Sequence, residues 1–225
     1  NPSYKVEQST TEIPENILHS DVKHCFPDFQ LYKHQVDAIT LGAQDKGFIV
    51  TSGTGSGKSL TFFATIFNDY FNSKKNNGVK ALLVYPMNAL VNSQKKEFED
   101  YASNYKRQTG SEFPITCGIY TGQETREEKE SIISNPPTIL MTNYVMLEYL
   151  MTRGHEKQLR DNIFRHLKYV VYDELHTFRG RQGADVAILN RRINVLCENS
   201  LVFIGTSATM ASDETTTHEK EKELI

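Results

Sequence analysis

The sequence contains few cysteines and no arrangement of them that would bind a metal. Cys25, Cys117 and Cys197 lie far apart, without a CxxC pair and without a histidine at ligand spacing. This pattern excludes a local zinc or iron–sulfur site. An odd number of isolated thiols is typical of a reducing compartment, and we expect all three side chains to pack in the core.

Long apolar runs and an excess of basic charge are also absent. Uncharged apolar stretches such as residues 81–85 and 169–172 are too short to cross a bilayer, and no signal segment follows Asn1, so we expect a cytoplasmic protein. The net charge is −3, and residues 213–225 carry five acidic and two basic side chains, which leaves the rest neutral. A neutral body argues against a broad basic face for nucleic acid, but it allows a few phosphate contacts from loops.

Short apolar runs alternate with helical patterns along most of the 225 residues. The runs predict strands at residues 47–51, 81–85, 115–120, 138–141, 169–172 and 201–204. Helical spacing predicts helices over residues 58–71, 88–105 and 183–198 and a short one that ends near Leu150. Continuous apolar strands separated by helices indicate an α/β fold with a mainly parallel sheet and helices on both faces.

The length allows one large domain or two small ones, and the pattern favours one. We expect residues 1–45 to form an N-terminal extension that packs on the sheet domain, with a helix over residues 33–41. Residues 46–212 would form the sheet domain, and residues 213–225 a charged tail. The acidic stretch 122–137 is predicted to be an exposed helix or loop.

The strongest motif is TSGTGSGKS at residues 51–59, between a predicted strand and a predicted helix. Glycines let backbone N–H groups converge on phosphate oxygens, and the following helix directs its positive end to the same anion. The lysine would reach the β- and γ-phosphates of a nucleotide, and the last serine would bind Mg²⁺. Ser52 replaces the first glycine of GxxxxGKS, which indicates a subtype. The predicted nucleotide-binding residues of this loop are Thr54, Gly55, Ser56, Gly57, Lys58 and Ser59.

Two acidic residues follow an apolar strand, in the run YVVYDE at residues 169–174. In a parallel sheet such a strand end lies beside the phosphate loop, in the crevice where ligands bind. We expect Asp173 to hold Mg²⁺ through water. Glu174 would orient and deprotonate the attacking water, so catalysis is assigned to Glu174, Lys58 and Asp173.

These motifs resemble those of superfamily 2 DEAD/DEAH-box (DExH) helicases, in the right order from about Leu31 to Met210. The resemblance implies the first RecA-like domain, a P-loop NTPase fold, with the DExH box at residues 173–176. The longer string DELHTFRG at residues 173–180 resembles a branch of large bacterial and archaeal helicases tied to DNA repair and phage defence. In the family a glutamine reads the adenine edge, which points to Gln35 here, with Tyr32 near the base.

The resemblance also implies a nucleic-acid surface that contacts the sugar–phosphate backbone with low sequence specificity. Small hydroxyls, amides and helix N-termini suit contacts to phosphates. The residues at the corresponding positions are Pro86, Asn88, Thr121, Gly122, Thr142 and Asn143. The segment GTSAT at residues 205–209 resembles the element that links ATP to nucleic-acid binding, and it places His176, Ser207 and Thr209 as coupling residues.

A helicase of this family works with two RecA-like domains, and the second supplies an arginine finger. We therefore expect ATP, Mg²⁺, a nucleic acid (DNA more than RNA) and a second RecA-like domain of the same full-length chain as partners. The resemblance implies ATP hydrolysis that drives movement along a strand, with the 225 residues alone nearly inactive. Three alternatives stay open: a nucleic-acid-dependent ATPase that remodels complexes without unwinding, a P-loop kinase or small-molecule ATPase, and a nucleotide-binding scaffold.

Overall fold

A computed structural model describes residues 6–53, 55–73, 77–154 and 156–208. Thr54, Thr209 and the predicted tail lie outside the described residues. The strands are β1 (Val6–Ser9), β2 (Gln30–Tyr32), β3 (Phe48–Ser52), β4 (Ala81–Tyr85), β5 (Cys117–Tyr120), β6 (Ile139–Asn143), β7 (Tyr169–Tyr172) and β8 (Val202–Ala208). The helices are α1 (Ser20–Lys23), α2 (Lys33–Gly42), α3 (Lys58–Asn72), α4 (Asn88–Thr109), α5 (Arg126–Ser134), α6 (Tyr144–Thr152), α7 (Lys157–His166) and α8 (Gly180–Leu196).

Six strands form one parallel sheet in the order β3-β8-β7-β4-β6-β5, and β1 pairs with β2 in a separate antiparallel ribbon. The predicted α/β class is therefore confirmed. Each of the six predicted strands corresponds to one strand of the sheet, although β8 runs four residues past its predicted end at Ile204. None of the described helices is long and apolar enough to cross a membrane.

Helices cover both faces because the strand side chains alternate between them. In β4, Leu83 and Tyr85 join the cluster that packs against α3 and α4, whereas Leu82 and Val84 join the cluster under α6, α7 and α8. All four are fully buried. This layering leaves the carboxyl ends of the strands as the edge where loops gather.

The N-terminal segment packs on the α3 and α4 side. Phe26 is fully buried and its ring lies 4.6 Å from that of Tyr101 and 6.1 Å from that of Phe67. The Asn68 side chain adds two hydrogen bonds. It accepts from the backbone N–H of His19 (2.8 Å) and donates to the carbonyl of Ile17 (2.9 Å). These contacts fit the predicted extension, while its boundary at residue 45 stays a prediction.

Candidate functional site

The phosphate loop begins where β3 ends at Ser52 and closes where α3 begins at Lys58. Gly55 and Gly57 have φ angles of 75° and 67°, in the left-handed region that favours glycine. A Cβ on Gly57 would also lie 2.7 Å from Nε2 of Gln35. The described first turn of α3 carries no acidic residue, so its positive end faces the loop uncompensated.

The side chain of Lys58 bonds to the backbone of this loop. Its side chain is 8% exposed, and Nζ donates to the carbonyls of Ser52 (3.1 Å) and Gly53 (3.2 Å). Ser52 also shares a short hydrogen bond with the hydroxyl of Ser56. The serine that replaces the family's first glycine therefore ties the two ends of the loop together. A glycine has no hydroxyl for this bond.

Asp173 is held by Thr206, a residue of the GTSAT segment to which the sequence analysis assigns no role of its own. Because Tyr172 of β7 pairs with Gly205 of β8, the residues that follow them, Asp173 and Thr206, lie side by side. The fully buried Thr206 hydroxyl donates a short hydrogen bond to Oδ1 of Asp173. Thr206 lies in the GTSAT segment, but its bond to Asp173 could not be read from the motif, since it arises from the register between two strands.

Burial and neighbouring groups shift the pKa of Asp173 in opposite directions. Burial raises the pKa of the Asp173 carboxyl above its ordinary value, and the charge of Glu174 adds to this effect. The hydrogen bond from Thr206 and the charge of Lys58 lower the pKa in part. Because β3 and β7 both pair in parallel with β8, the phosphate loop and Asp173 follow strand ends at the same edge of the sheet, as a common nucleotide and metal site requires.

Glu174 adopts an unusual backbone conformation. Its φ of 52° lies in the left-handed region, where strain of about 1–3 kcal/mol is common at functional sites. Its N–H donates to the hydroxyl of Thr206 (3.3 Å). Its Oε2 is buried, lies 3.2 Å from Nδ1 of His176, and makes no hydrogen bond of good geometry to a described residue. A buried carboxylate oxygen with spare acceptor capacity suits a group that binds water or a metal-bound ligand.

The coupling residues are partly brought together. The Ser207 hydroxyl lies 3.4 Å from Nδ1 of His176, so the same ring nitrogen faces both Glu174 and Ser207. Thr209 lies outside the described residues. The contact joins the DExH loop to β8, as the prediction for His176 and Ser207 requires.

A cavity of about 400 Å³ adjoins the phosphate loop on the side of α2 and α4. The predicted residues Tyr32, Gln35, Gly55, Ser56 and Gly57 line it. Phe29, Glu97 and Asp100 also line it, and sequence reasoning missed them because they reach the site only through packing of the N-terminal segment on α4. An aromatic ring and acidic acceptors beside a phosphate loop are suited to a nucleobase.

Gln35 connects this cavity to the phosphate loop. Its Nε2 donates to the carbonyls of Ser56 (3.2 Å) and Gly57 (3.0 Å), and its Oε1 accepts from the N–H of Tyr32 (2.9 Å). The side chain is 4% exposed. Both amide hydrogens of Gln35 therefore bond to the loop. Only the second lone pair of Oε1 is left for the predicted contact with adenine.

Four of the six predicted nucleic-acid residues line a second cavity, of about 270 Å³. They are Pro86, Asn88, Thr121 and Asn143. The helices α4 and α6 both begin at this cavity, and their described first turns carry no acidic residue. The Asn143 amide donates to Oδ1 of Asn88 (2.7 Å) and accepts from the N–H of Met146 (2.8 Å). Two positive helix ends beside an amide form a surface suited to a phosphate.

The other two predicted nucleic-acid residues, Thr142 and Gly122, bond to neighbouring groups of the protein. Thr142 is 2% exposed, and its hydroxyl donates to the carbonyl of Tyr120 (2.6 Å), so it supports the loop from inside and offers no group to a phosphate. The N–H groups of Thr121 and Gly122 both donate to the carboxylate of Glu124. Local spacing does not reveal these internal partners.

Comparison with known proteins gives a consistent result. Residues 32–217 match the family model described as DEAD/DEAH box helicase. An uncharacterized ATP-dependent helicase of Methanocaldococcus jannaschii is 31% identical over 185 residues, which cover 81% of this chain and 26% of that relative. The ATP-dependent helicase Lhr-Core of Saccharolobus solfataricus is 30% identical over 181 residues, which cover 77% of this chain and 20% of that relative.

Solved structures agree with the sequence relatives. The crystal structure of the DUF1998 helicase MrfA bound to DNA and AMPPNP has a TM-score of 0.76 and 27% identity, with 92% of this chain and 28% of MrfA covered. The Mycobacterium smegmatis helicase Lhr bound to single-stranded DNA and AMP-PNP has a TM-score of 0.71 and 23% identity, with coverages of 84% and 24%. The fold is thus that of a helicase RecA-like domain, and this chain spans about a quarter of the length of the proteins it matches.

Proposed function

Because the chain belongs to the DEAD/DEAH box helicase family, we propose that it is the first RecA-like, ATP-binding domain of a helicase or translocase that moves along nucleic acid. One observation carries the proposal. The phosphate loop follows β3 and the Asp173–Glu174 pair follows β7, and since both strands pair in parallel with β8, the two segments lie at the same edge of the sheet. Such an arrangement is what a triphosphate with its metal requires.

The residues present suit ATP and Mg²⁺. Lys58, now bonded to loop carbonyls, would turn to the β- and γ-phosphates, and the loop N–H groups would cradle them. Ser59 and Asp173 would hold the metal, Asp173 through water. Mg²⁺ would neutralise charge that develops on the phosphates. Glu174 would orient the attacking water with its buried Oε2 and accept its proton.

We propose that the cavity beside Asn88 and Asn143 receives a phosphate of the strand. Two positive helix ends support this role, and the contacts carry no base information, so sequence specificity would be low. DNA is the proposed strand, because MrfA and Lhr were solved with DNA. The free thiols Cys25, Cys117 and Cys197 fit a reducing compartment, and we propose a cytoplasmic location.

The working unit would include a second RecA-like domain that supplies an arginine finger. Since such a finger contributes about 10³–10⁵ in rate, the 225 residues alone would bind ATP weakly and turn over very slowly. ATP would close the two domains over one strand, and hydrolysis would reopen them. Robust turnover by the isolated chain, stimulated by nucleic acid, would contradict this arrangement.

The test uses the complete polypeptide, with ATPase and strand-displacement assays on the same preparation. Lys58→Ala should abolish both activities, and Glu174→Gln should abolish turnover while ATP still binds. Lys33→Ala, an exposed lysine on α2, serves as the control for loss of a positive charge. Normal turnover of Glu174→Gln would remove Glu174 as the base. ATPase stimulated by DNA without strand displacement would favour a remodelling ATPase instead.

A further inference from the structure

The loop between β5 and α5 holds a carboxylate beside the proposed strand cavity. Glu124 turns back on its own loop, and its Oε1 accepts from the N–H of Thr121 (2.9 Å) and from the Thr121 hydroxyl (2.6 Å). Its Oε2 accepts from the N–H of Gly122 (2.8 Å) and lies 3.0 Å from the N–H of Thr121. We call these three donors, the two N–H groups and the hydroxyl, the anion nest.

The backbone makes this nest possible. Gly122 has a φ of 92°, which lets its N–H point to the same side as that of Thr121. Successive N–H groups arranged in this way form an anion-binding concavity. Burial alone would raise the pKa of Glu124, but the hydrogen bonds from Thr121 and the loop N–H groups bring it below its ordinary value. The occupant of the nest is therefore an ionised carboxylate.

The anion nest adjoins the cavity that we propose for the strand. Thr121 lines that cavity together with Asn88 and Asn143, and its carbonyl accepts from Nδ2 of Asn143 (3.2 Å). A carboxylate and a phosphodiester both present two anionic oxygens to such donors. The same three donors cannot serve both groups at once.

We propose that Glu124 stands in for a phosphate of the nucleic-acid backbone, occupying the anion nest in the free chain and leaving it when a strand binds. This inference rests on the proposed function and names a residue that sets strand affinity. A cavity of about 470 Å³ beside the loop is lined by Thr121, Glu124 and Lys95, and the displaced carboxylate would move toward that lysine. Glu124 thereby weakens each contact with the strand, which favours release between steps.

The experiment measures binding of a short fluorescein-labelled oligothymidylate to the complete polypeptide by fluorescence anisotropy at fixed salt. Glu124→Gln removes the charge from the nest, and we expect the oligonucleotide to bind about tenfold more tightly. Glu128→Gln is the matched control, because Glu128 lies in the same segment and accepts from the N–H of Thr125 (2.7 Å), away from the nest. We expect the control to change the Kd by no more than about twofold, through general loss of negative charge.

Glu124→Ala should act in the same direction as Glu124→Gln, and thermal unfolding of each variant shows whether the domain remains folded. Tighter binding by both Glu124 variants than by Glu128→Gln supports the inference. If wild type binds and the Glu124 variants bind equally or more weakly, the carboxylate only positions the loop and the inference is overturned, while the proposed function stands. If neither wild type nor the variants bind, the proposed nucleic-acid function itself fails and the inference fails with it.

Discussion

Thr206→Val removes one hydroxyl and keeps the shape of a fully buried side chain. The hydroxyl donates to Oδ1 of Asp173 and accepts from the N–H of Glu174, so its loss affects both proposed catalytic carboxylates. A hydrogen bond to a charged group is worth about 1.5–3 kcal/mol. If that bond orients Asp173 during the reaction, kcat/KM for ATP should fall about 10- to 150-fold.

The matched control for this variant is Thr65→Val. Thr65 is 2% exposed, and its hydroxyl donates to the carbonyl of Thr61 (2.9 Å) within α3, one helix turn or more from the phosphate loop. The same chemical change there removes only a bond to a helical carbonyl, and kcat/KM should stay within about twofold of wild type. The assay is ATP hydrolysis by the complete polypeptide with and without single-stranded DNA, alongside thermal unfolding.

Two results would refute the reasoning. A Thr206→Val enzyme with wild-type kcat/KM would show that the hydroxyl does not position Asp173 for the reaction. Equal losses in Thr206→Val and Thr65→Val would show that a buried threonine matters only for packing. A loss confined to Thr206→Val, with both variants folded, is the expected outcome.

Two further predictions concern stability and use equilibrium unfolding in urea. Asp69 is 12% exposed and accepts from two lysine Nζ atoms at 2.6 and 3.3 Å, so Asp69→Asn should lower the free energy of unfolding by about 2–4 kcal/mol. Asp37→Asn, in an exposed pair with a 3.7 Å separation, should cost less than about 1 kcal/mol, and equal costs would contradict the burial argument. A Cβ on Gly42 would lie 2.3 Å from the Thr65 hydroxyl, so Gly42→Ala should destabilise by about 1–3 kcal/mol. Gly154→Ala meets no described atom within 4 Å and should be nearly neutral, so a larger loss there would refute this steric reasoning.

The sheet strands were predictable because apolar runs such as residues 81–85 are local signals that burial on both faces requires. The pattern does not predict helix α7, since the helix buries only Leu159 and Ile163 and its other residues are polar apart from the partly buried Phe164. The helix predicted over residues 183–198 begins three residues earlier, at Gly180, where the sequence carries no capping side chain. Element type therefore followed from periodicity, whereas boundaries depended on tertiary contacts.

At the site, Lys58 and Asp173 were predictable because a motif specifies their position relative to a strand end. The contact of Thr206 with Asp173 was not predictable although Thr206 lies in the GTSAT segment, because strand register sets that contact. The contacts of Glu124 were not predictable either, because they depend on a loop that folds back on itself. Phe29 lines the cavity beside the phosphate loop only because the N-terminal segment packs on α4. Thr142 illustrates the opposite case, in which a residue at the expected position turns its hydroxyl into the protein.

The strand order has a consequence for synthesis of the chain on the ribosome. The strand that leads into the phosphate loop, β3, pairs with β8, the last strand to be made among the described residues, and the paired residues Phe48 and Ile204 are roughly 150 residues apart in the chain. A nascent polypeptide that ends before residue 202 has no neighbour for β3 and no Thr206 for Asp173. The proposed nucleotide site would therefore be complete only after β8 has emerged from the exit tunnel.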